Sequence, residues 1–193
     1  MSNDKGKIIG IAGSARRKSN SMQLLTSALD GCKSAGADTE LINILDLHYS
    51  GCQACLDCHR TGKCIIDDDI TPIYAKLASA RAVIIAAPVY FYGLPGQFKL
   101  FIDRFQAVWA NQPSVPAAGA PKRVGGLIST CGSIGLKSFE GLTMTVKYFY
   151  SVQGITLTEP LLFKNFDSNP DKISLAVTMS AAKFGKLIAG LSM

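Results

Sequence analysis

Short, continuously apolar runs alternate along this chain with longer stretches whose apolar residues recur at helical spacing. The runs fall at 7–13 (KIIGIAG), 39–45 (TELINIL), 82–89 (AVIIAAPV), 123–130 (RVGGLIST) and 155–163 (ITLTEPLLF), and each predicts a strand. The amphipathic stretches at 20–36, 69–80, 95–109, 136–153 and 171–191 predict helices. In the third helix Phe98, Phe101, Ile102 and Phe105 share one face. A strand that is apolar at nearly every position is covered on both sides, and helices that follow such strands supply the cover. Five such units predict an α/β three-layer sandwich around a five-stranded parallel sheet of order 2-1-3-4-5. In that arrangement ligands bind beyond the carboxyl ends of the strands.

Two connections are long. Residues 46–68 hold four of the six cysteines, and 110–123 (ANQPSVPAAGAPKR) is rich in Pro and Ala. A connection much longer than the usual few residues is commonly functional. The 193 residues predict a single domain spanning 1–193, large enough to bury its own core. The longest apolar stretch, AVIIAAPVYFYGLPG, is interrupted by Pro88 and Gly93 and falls short of the roughly 20 residues of a membrane span. The N-terminal MSNDKGKIIGIAGSARR makes a poor signal peptide and a good first strand, so a cytoplasmic protein with reduced thiols is expected. A net charge of +6 favours anionic partners. Because the basic residues are scattered, with no basic stripe, phosphorylated small molecules fit better than nucleic acid, and no nucleic-acid or membrane partner is expected.

The segment GSARRKSNS (13–21) follows the first strand and opens the first helix. Gly13 permits a tight turn, Ser14, Ser19 and Ser21 offer hydroxyls, Asn20 an amide, and Arg16, Arg17 and Lys18 positive charge. Helix N-termini bind phosphate through their first amides and the helix dipole. The segment lacks the Gly-Lys-Ser/Thr ending of a Walker loop and is not G-x-G-x-x-G. A serine N-cap with solvated basic neighbours is the competing reading. At the end of the third strand stand Pro88, Tyr90, Phe91 and Tyr92, and at the end of the fourth the small-residue loop STCGSIG (129–135). One phosphate loop, one aromatic loop and one narrow loop suit a monophosphate carried by a flat ring, which describes FMN. Simple core and rim packing of the aromatics is the alternative.

The loop GCQACLDCHRTGKC spaces Cys52, Cys55, Cys58 and Cys64 as C-x2-C-x2-C-x5-C. In a reducing compartment such a cluster points to metal before disulfides. Structural zinc sites pair two knuckles across a longer gap, whereas three closely spaced cysteines suit successive corners of an iron-sulfur cube. Zinc and a metal-free thiol role stay open on spacing alone. His48 and His59 are read as surface or packing residues, Cys32 as packing, and Asp67, Asp68 and Asp69 as the acidic start of the following helix.

GSARRKSNS together with PVYFYGLPGQFKLFIDR closely resembles the NAD(P)H-dependent FMN reductase family, whose fold is flavodoxin-like; with the cysteine loop the chain is similar to its iron-sulfur flavoprotein branch. The resemblance covers nearly the whole chain. It implies that Ser14, Arg16, Ser19, Asn20 and Ser21 bind the FMN phosphate and that Pro88, Val89, Tyr90, Phe91 and Gly93 flank the isoalloxazine. It further implies that Thr130, Cys131 and Gly132 contact the ring and ribityl chain, and that the four loop cysteines hold a [4Fe-4S] cluster. No side-chain general base is required, because the flavin carries the redox chemistry. Electrons are expected from ferredoxin or NAD(P)H, with a small-molecule acceptor such as oxygen or peroxide. A homodimer or homotetramer is expected, one subunit's cluster lying near another's FMN. Two rival functions are an NAD(P)H-dependent FMN or quinone reductase without a cluster and a flavodoxin-type electron carrier. Carriers of that type are usually acidic, which the +6 charge does not match.

Overall fold

β1 (Ile8–Ala12) is buried at all five positions, as a central strand of a parallel sheet must be. This computed structural model describes residues 6–111, 123–132, 135, 137–166 and 173–192. β3 (Ala82–Pro88) and β4 (Arg123–Thr130) are almost as deeply buried, while β2 (Thr39–Asn43) forms a half-exposed edge. All pairings are parallel, and the order is 2-1-3-4-5 as the periodicity predicts. Ala12 is level with Ala86, and Pro88 with Thr130, so the strand ends that feed the expected site open on one edge of the sheet.

Side chains alternate across the sheet. Ile8, Ile84 and Ile128 pack under α1 (Asn20–Ser34) and α7 (Leu175–Leu191), with Leu24, Leu25, Phe184 and Ile188. Ile9, Ile11, Val83 and Ile85 face the opposite layer of α3 (Thr71–Ser79), α4 (Gly96–Asp103) and α6 (Glu140–Val152). Phe98, Phe101 and Phe105 fill that second core, the face their spacing predicts. Its base is closed by Tyr150, whose buried hydroxyl donates to the Gly126 carbonyl at 2.8 Å.

Several elements differ from the sequence reading. The run 39–45 ends as a strand at Asn43, whose side chain accepts from Leu45 N and starts a 3-10 turn over Ile44–Asp46. The run 155–163 is two strands, so the sheet has six strands among the described residues. β5 (Ile155–Leu157) pairs with Arg123–Gly125 and β6 (Leu161–Phe163) with Ile128–Thr130. Between them Thr158 N donates back to the Gly125 carbonyl, and Pro160, which has no N–H, supplies no ladder donor. The helix expected at 95–109 breaks at Arg104 into α4 and α5 (Gln106–Trp109). There the Arg104 carbonyl accepts from the Tyr74 hydroxyl at 2.9 Å while its side chain turns under the cysteine loop. The helix expected from 136 begins at Glu140 and that expected from 171 at Leu175; residues 136, 171 and 172 lie outside the described residues, as do 112–122 of the Pro/Ala-rich connection. The cysteine loop carries one helical turn that periodicity does not show, α2 (Asp57–Thr61).

Candidate functional site

The residues after β1, β3 and β4 meet in one open cleft of about 150 Å³ at the carboxyl edge of the sheet. Ser14, Arg16, Ser19, Asn20, Ser21, Pro88, Tyr90, Thr130, Cys131, Gly132 and Phe166 line it. The serines and Asn20 are buried, and Arg16 stands exposed at the rim. Ser14 Oγ accepts from Arg16 N at 3.1 Å, which curls the loop, and Ser19 caps α1 by accepting from Met22 N at 3.2 Å. The capping reading of Ser19 and the cleft reading therefore coexist. Arg17 is committed elsewhere, to an ion pair with Asp46.

The aromatic segment is a tight reversal. Tyr90 N donates to Gly93 O at 3.0 Å and Gly93 N to Tyr90 O at 2.9 Å, with Phe91 at φ 48° and Tyr92 at φ 63°. Positive φ at both central residues is the geometry that two-residue turns normally fill with Asn and Gly. The turn is pinned from behind, since Leu142 N donates to Tyr92 O at 2.9 Å. Of the five residues expected from this segment, Pro88 and Tyr90 line the cleft. Val89 packs against the core, Gly93 closes the turn, and Phe91 projects fully into solvent. The turn geometry, which the run of aromatics hides, causes that departure.

Phe166 is the cleft residue that the sequence reading missed. Its N–H donates to Cys131 O and Cys131 N donates to Phe163 O, both at 2.9 Å, so β6 carries Phe166 to the wall. An aromatic just past the last strand was the available signal. Cys131 is buried at the cleft, and Cys32 is buried between α1 and α7, where its thiol donates to Gly185 O at 3.2 Å. Burial pushes the Cys32 thiol up to about 11.

The cysteine loop leaves and rejoins the fold at one neck. Ser50 N and Ile70 N donate to the Asp68 carboxylate at 3.3 and 3.0 Å, and His48 N to Asp69 at 2.6 Å. The aspartates thus clamp the loop as much as they start α3, whose N-cap is Ile70. Cys52 and Cys55 are exposed, Cys58 and Cys64 half-buried, and all four are free thiols. Among the described residues no three His, Cys, Asp or Glu side chains are grouped to hold one metal ion. A tetrahedral ion draws every sulfur to about 2.3 Å from one point, whereas a cluster takes thiolates at separate corners. The donor set itself, four thiols on one closed loop, has the chemistry a cluster requires. Ala54 at φ 52° and Leu56 at φ 63° bend the chain sharply on either side of Cys55. His59 packs edge-on against Trp109, ring centroids 5.8 Å apart, as a packing residue does.

Every non-glycine residue with left-handed backbone among the described residues belongs to these segments: Ala54, Leu56, Phe91, Tyr92 and Asn165, the neighbour of Phe166. Strain of this kind persists where the surroundings enforce it, and it collects at functional loops.

The sequence profile of the NADPH-dependent FMN reductase family matches residues 6–149. The chain belongs to that family. The chain is 39% identical over 98 residues to an iron-sulfur flavoprotein of Methanocaldococcus jannaschii, covering 51% of each. It has the same identity, over the same length and shares, to an iron-sulfur flavoprotein of Methanosarcina thermophila. The matched region is thus about half the length of these curated relatives. Among solved structures, the NAD(P)H:quinone oxidoreductase of Methanothermobacter marburgensis superposes with TM-score 0.66 at 16% identity, over 94% of this chain and 95% of that one. An archaeal flavodoxin superposes with TM-score 0.59 at 16% identity, over 96% and 99%. These likenesses place the family member in the flavodoxin-like fold. None of the described helices is long and apolar enough to cross a membrane.

Proposed function

We propose that this chain is an FMN-dependent oxidoreductase of the iron-sulfur flavoprotein type, moving electrons between a donor such as ferredoxin or NAD(P)H, a [4Fe-4S] cluster and FMN. The observation that carries the reading is the cleft, where buried hydroxyls and an amide at the start of α1 face an aromatic turn and a narrow glycine-containing loop. FMN bound there supplies both hydride and single-electron chemistry, and a cluster supplies single-electron steps.

The chain's own residues divide the work. The α1 N-terminus, with Ser14, Arg16, Ser19, Asn20 and Ser21, binds the phosphate through amides, hydroxyls and positive charge. Pro88, Val89, Tyr90, Phe91 and Gly93 form the segment that flanks the ring, Tyr90 from the cleft wall and Phe91 from the turn above it. Thr130, Cys131 and Gly132 face the ribityl side, and Phe166 shields the same wall from water. Cys52, Cys55, Cys58 and Cys64 are the cluster ligands. Support comes from the relatives that are iron-sulfur flavoproteins, together with the spacing of the four thiols.

Anaerobic purification with flavin, iron and sulfide analysis tests the reading. FMN with about four iron atoms per chain is the expected result, and FMN without iron in anaerobically reconstituted protein overturns the cluster. The ungathered thiols, Cys52 and Cys55 exposed and Cys58 and Cys64 half-buried, favour one rival, an NAD(P)H-dependent FMN or quinone reductase with no cluster. Rapid bleaching of bound flavin by NADPH in iron-free protein is its signature. A homodimer or homotetramer brings one subunit's cysteine loop to another's cleft under the leading reading, and a small-molecule acceptor such as oxygen or peroxide takes the electrons.

A further inference from the structure

We propose that Arg104 is the positioning residue of the cysteine loop, its guanidinium closing the neck of the loop before any iron binds. Arg104 is the largest of the fully buried side chains, with about 1% of its surface exposed. One terminal nitrogen donates to Ser50 O at 3.0 Å, just before the first loop cysteine, and to the Asp68 carboxylate at 2.5 Å, just after the last. The other donates to Ile66 O at 2.9 Å, two residues past Cys64. One planar fork with fixed donor directions therefore holds both strands of the neck, whereas a lysine ammonium is a compact point charge without that fork.

The charge is maintained at this depth. Burial works against the guanidinium, but the Asp68 hydrogen bond and the nearby Tyr74, Cys64 and Asp68 outweigh it and raise the group above its ordinary value. Cys64 is thus within electrostatic reach of the fork. Arg104 Nε is buried and has no hydrogen-bond partner among the described residues, so the two terminal nitrogens make all the contacts of the fork. The break between α4 and α5 belongs to the same device, because Arg104 sits where the helix stops and the Tyr74 hydroxyl takes its carbonyl.

The proposal takes its purpose from the cluster reading, but its first test needs no metal. Hydrogen exchange is measured across residues 48–70 of the iron-free full chain in wild type, Arg104→Lys, Arg104→Met and Asp68→Asn. β1 and β3 serve as the control for a native fold. The expected result is loop and neck exchange about tenfold faster in both arginine variants and in Asp68→Asn, with β1 and β3 unchanged. After anaerobic reconstitution, a chelator is then expected to strip iron about tenfold faster from Arg104→Lys than from wild type. Loop exchange within about twofold of wild type in Arg104→Lys, with β1 and β3 protected, overturns the proposal. If Arg104→Met does not fold, Arg104→Lys and Asp68→Asn decide. If wild-type protein takes up no iron, the cluster reading falls and the exchange comparison still judges Arg104.

Discussion

The α-carbon of Gly13 lies against the ring of Phe98 so closely that a Cβ there would stand 2.3 Å from Phe98 Cδ1. Gly13 opens the loop after β1 and Phe98 belongs to α4, which follows the aromatic turn. One packing contact thus sets the spacing between two walls of the cleft. Gly13→Ala is expected to cost about 1–3 kcal/mol, since the buried ring has no room to retreat, and to weaken FMN binding. The double variant Gly13→Ala, Phe98→Leu is expected to recover part of both. Thermal unfolding and quenching of flavin fluorescence on titration check this, and a Gly13→Ala protein with wild-type stability contradicts it.

The aromatic turn gives the opposite sign for stability. Phe91 and Tyr92 occupy left-handed positions that cost L-residues about 1–2 kcal/mol each. Replacing them as Phe91→Asn, Tyr92→Gly supplies the residues this turn prefers. The variant is expected to gain about 1 kcal/mol in stability and to bind FMN more weakly, because aromatic surface beside Tyr90 is lost. Denaturant unfolding and flavin titration read the two effects separately.

Much of this architecture was legible in the sequence, for physical reasons that also mark where reading stops. Buried parallel strands announce themselves as apolar runs, so Ile8–Ala12 and Ala82–Pro88 were visible along with their order. Ten of the eleven residues lining the cleft were expected there, because strand ends and helix starts fix loop positions. Phe91 lies outside the cleft because a two-residue reversal, set by positive φ, turns its ring to solvent, while Val89 packs on the core and Gly93 closes the turn. Arg104 was hidden inside a helical pattern, since its partners Ser50, Ile66 and Asp68 are distant in sequence and only tertiary structure joins them. The split of 155–163 has a signal in Pro160, whose missing N–H removes one ladder donor between the two segments.

The six cysteines are expected to separate by reactivity. In iron-free protein, alkylation under native conditions at mildly alkaline pH is expected to modify the exposed Cys52 and Cys55 first. Cys32 is buried, and its thiol is pushed up to about 11, so it remains unmodified until the protein unfolds. Mass spectrometry of peptides after timed quenching checks the order. Serine at any one of Cys52, Cys55, Cys58 or Cys64 is expected to abolish iron retention while FMN content is kept, because the loop and the cleft use different residues. Loss of flavin together with iron contradicts that independence.

Asp68 makes the neck of the cysteine loop sensitive to acid. Burial pushes its carboxyl up, but hydrogen bonds from Arg104, Ile70 N and Ser50 N outweigh burial and hold it below the ordinary aspartate value. A carboxyl whose folded value lies below its unfolded one stabilises the fold fully above the unfolded value, about 3.9. That contribution is lost as pH falls from there through the folded value, where the carboxylate is protonated even in the native state. Thermal unfolding of wild type and Asp68→Asn from pH 7 down to about 2.5 is therefore expected to show a constant gap above about pH 5, closing as the pH drops below about 4. Protection of the Ser50 and Ile70 amides, which donate to this carboxylate, is expected to fall over the same window in wild type and to be low throughout in the variant. A gap that widens toward acid gives the opposite sign and removes Asp68 from the clamp.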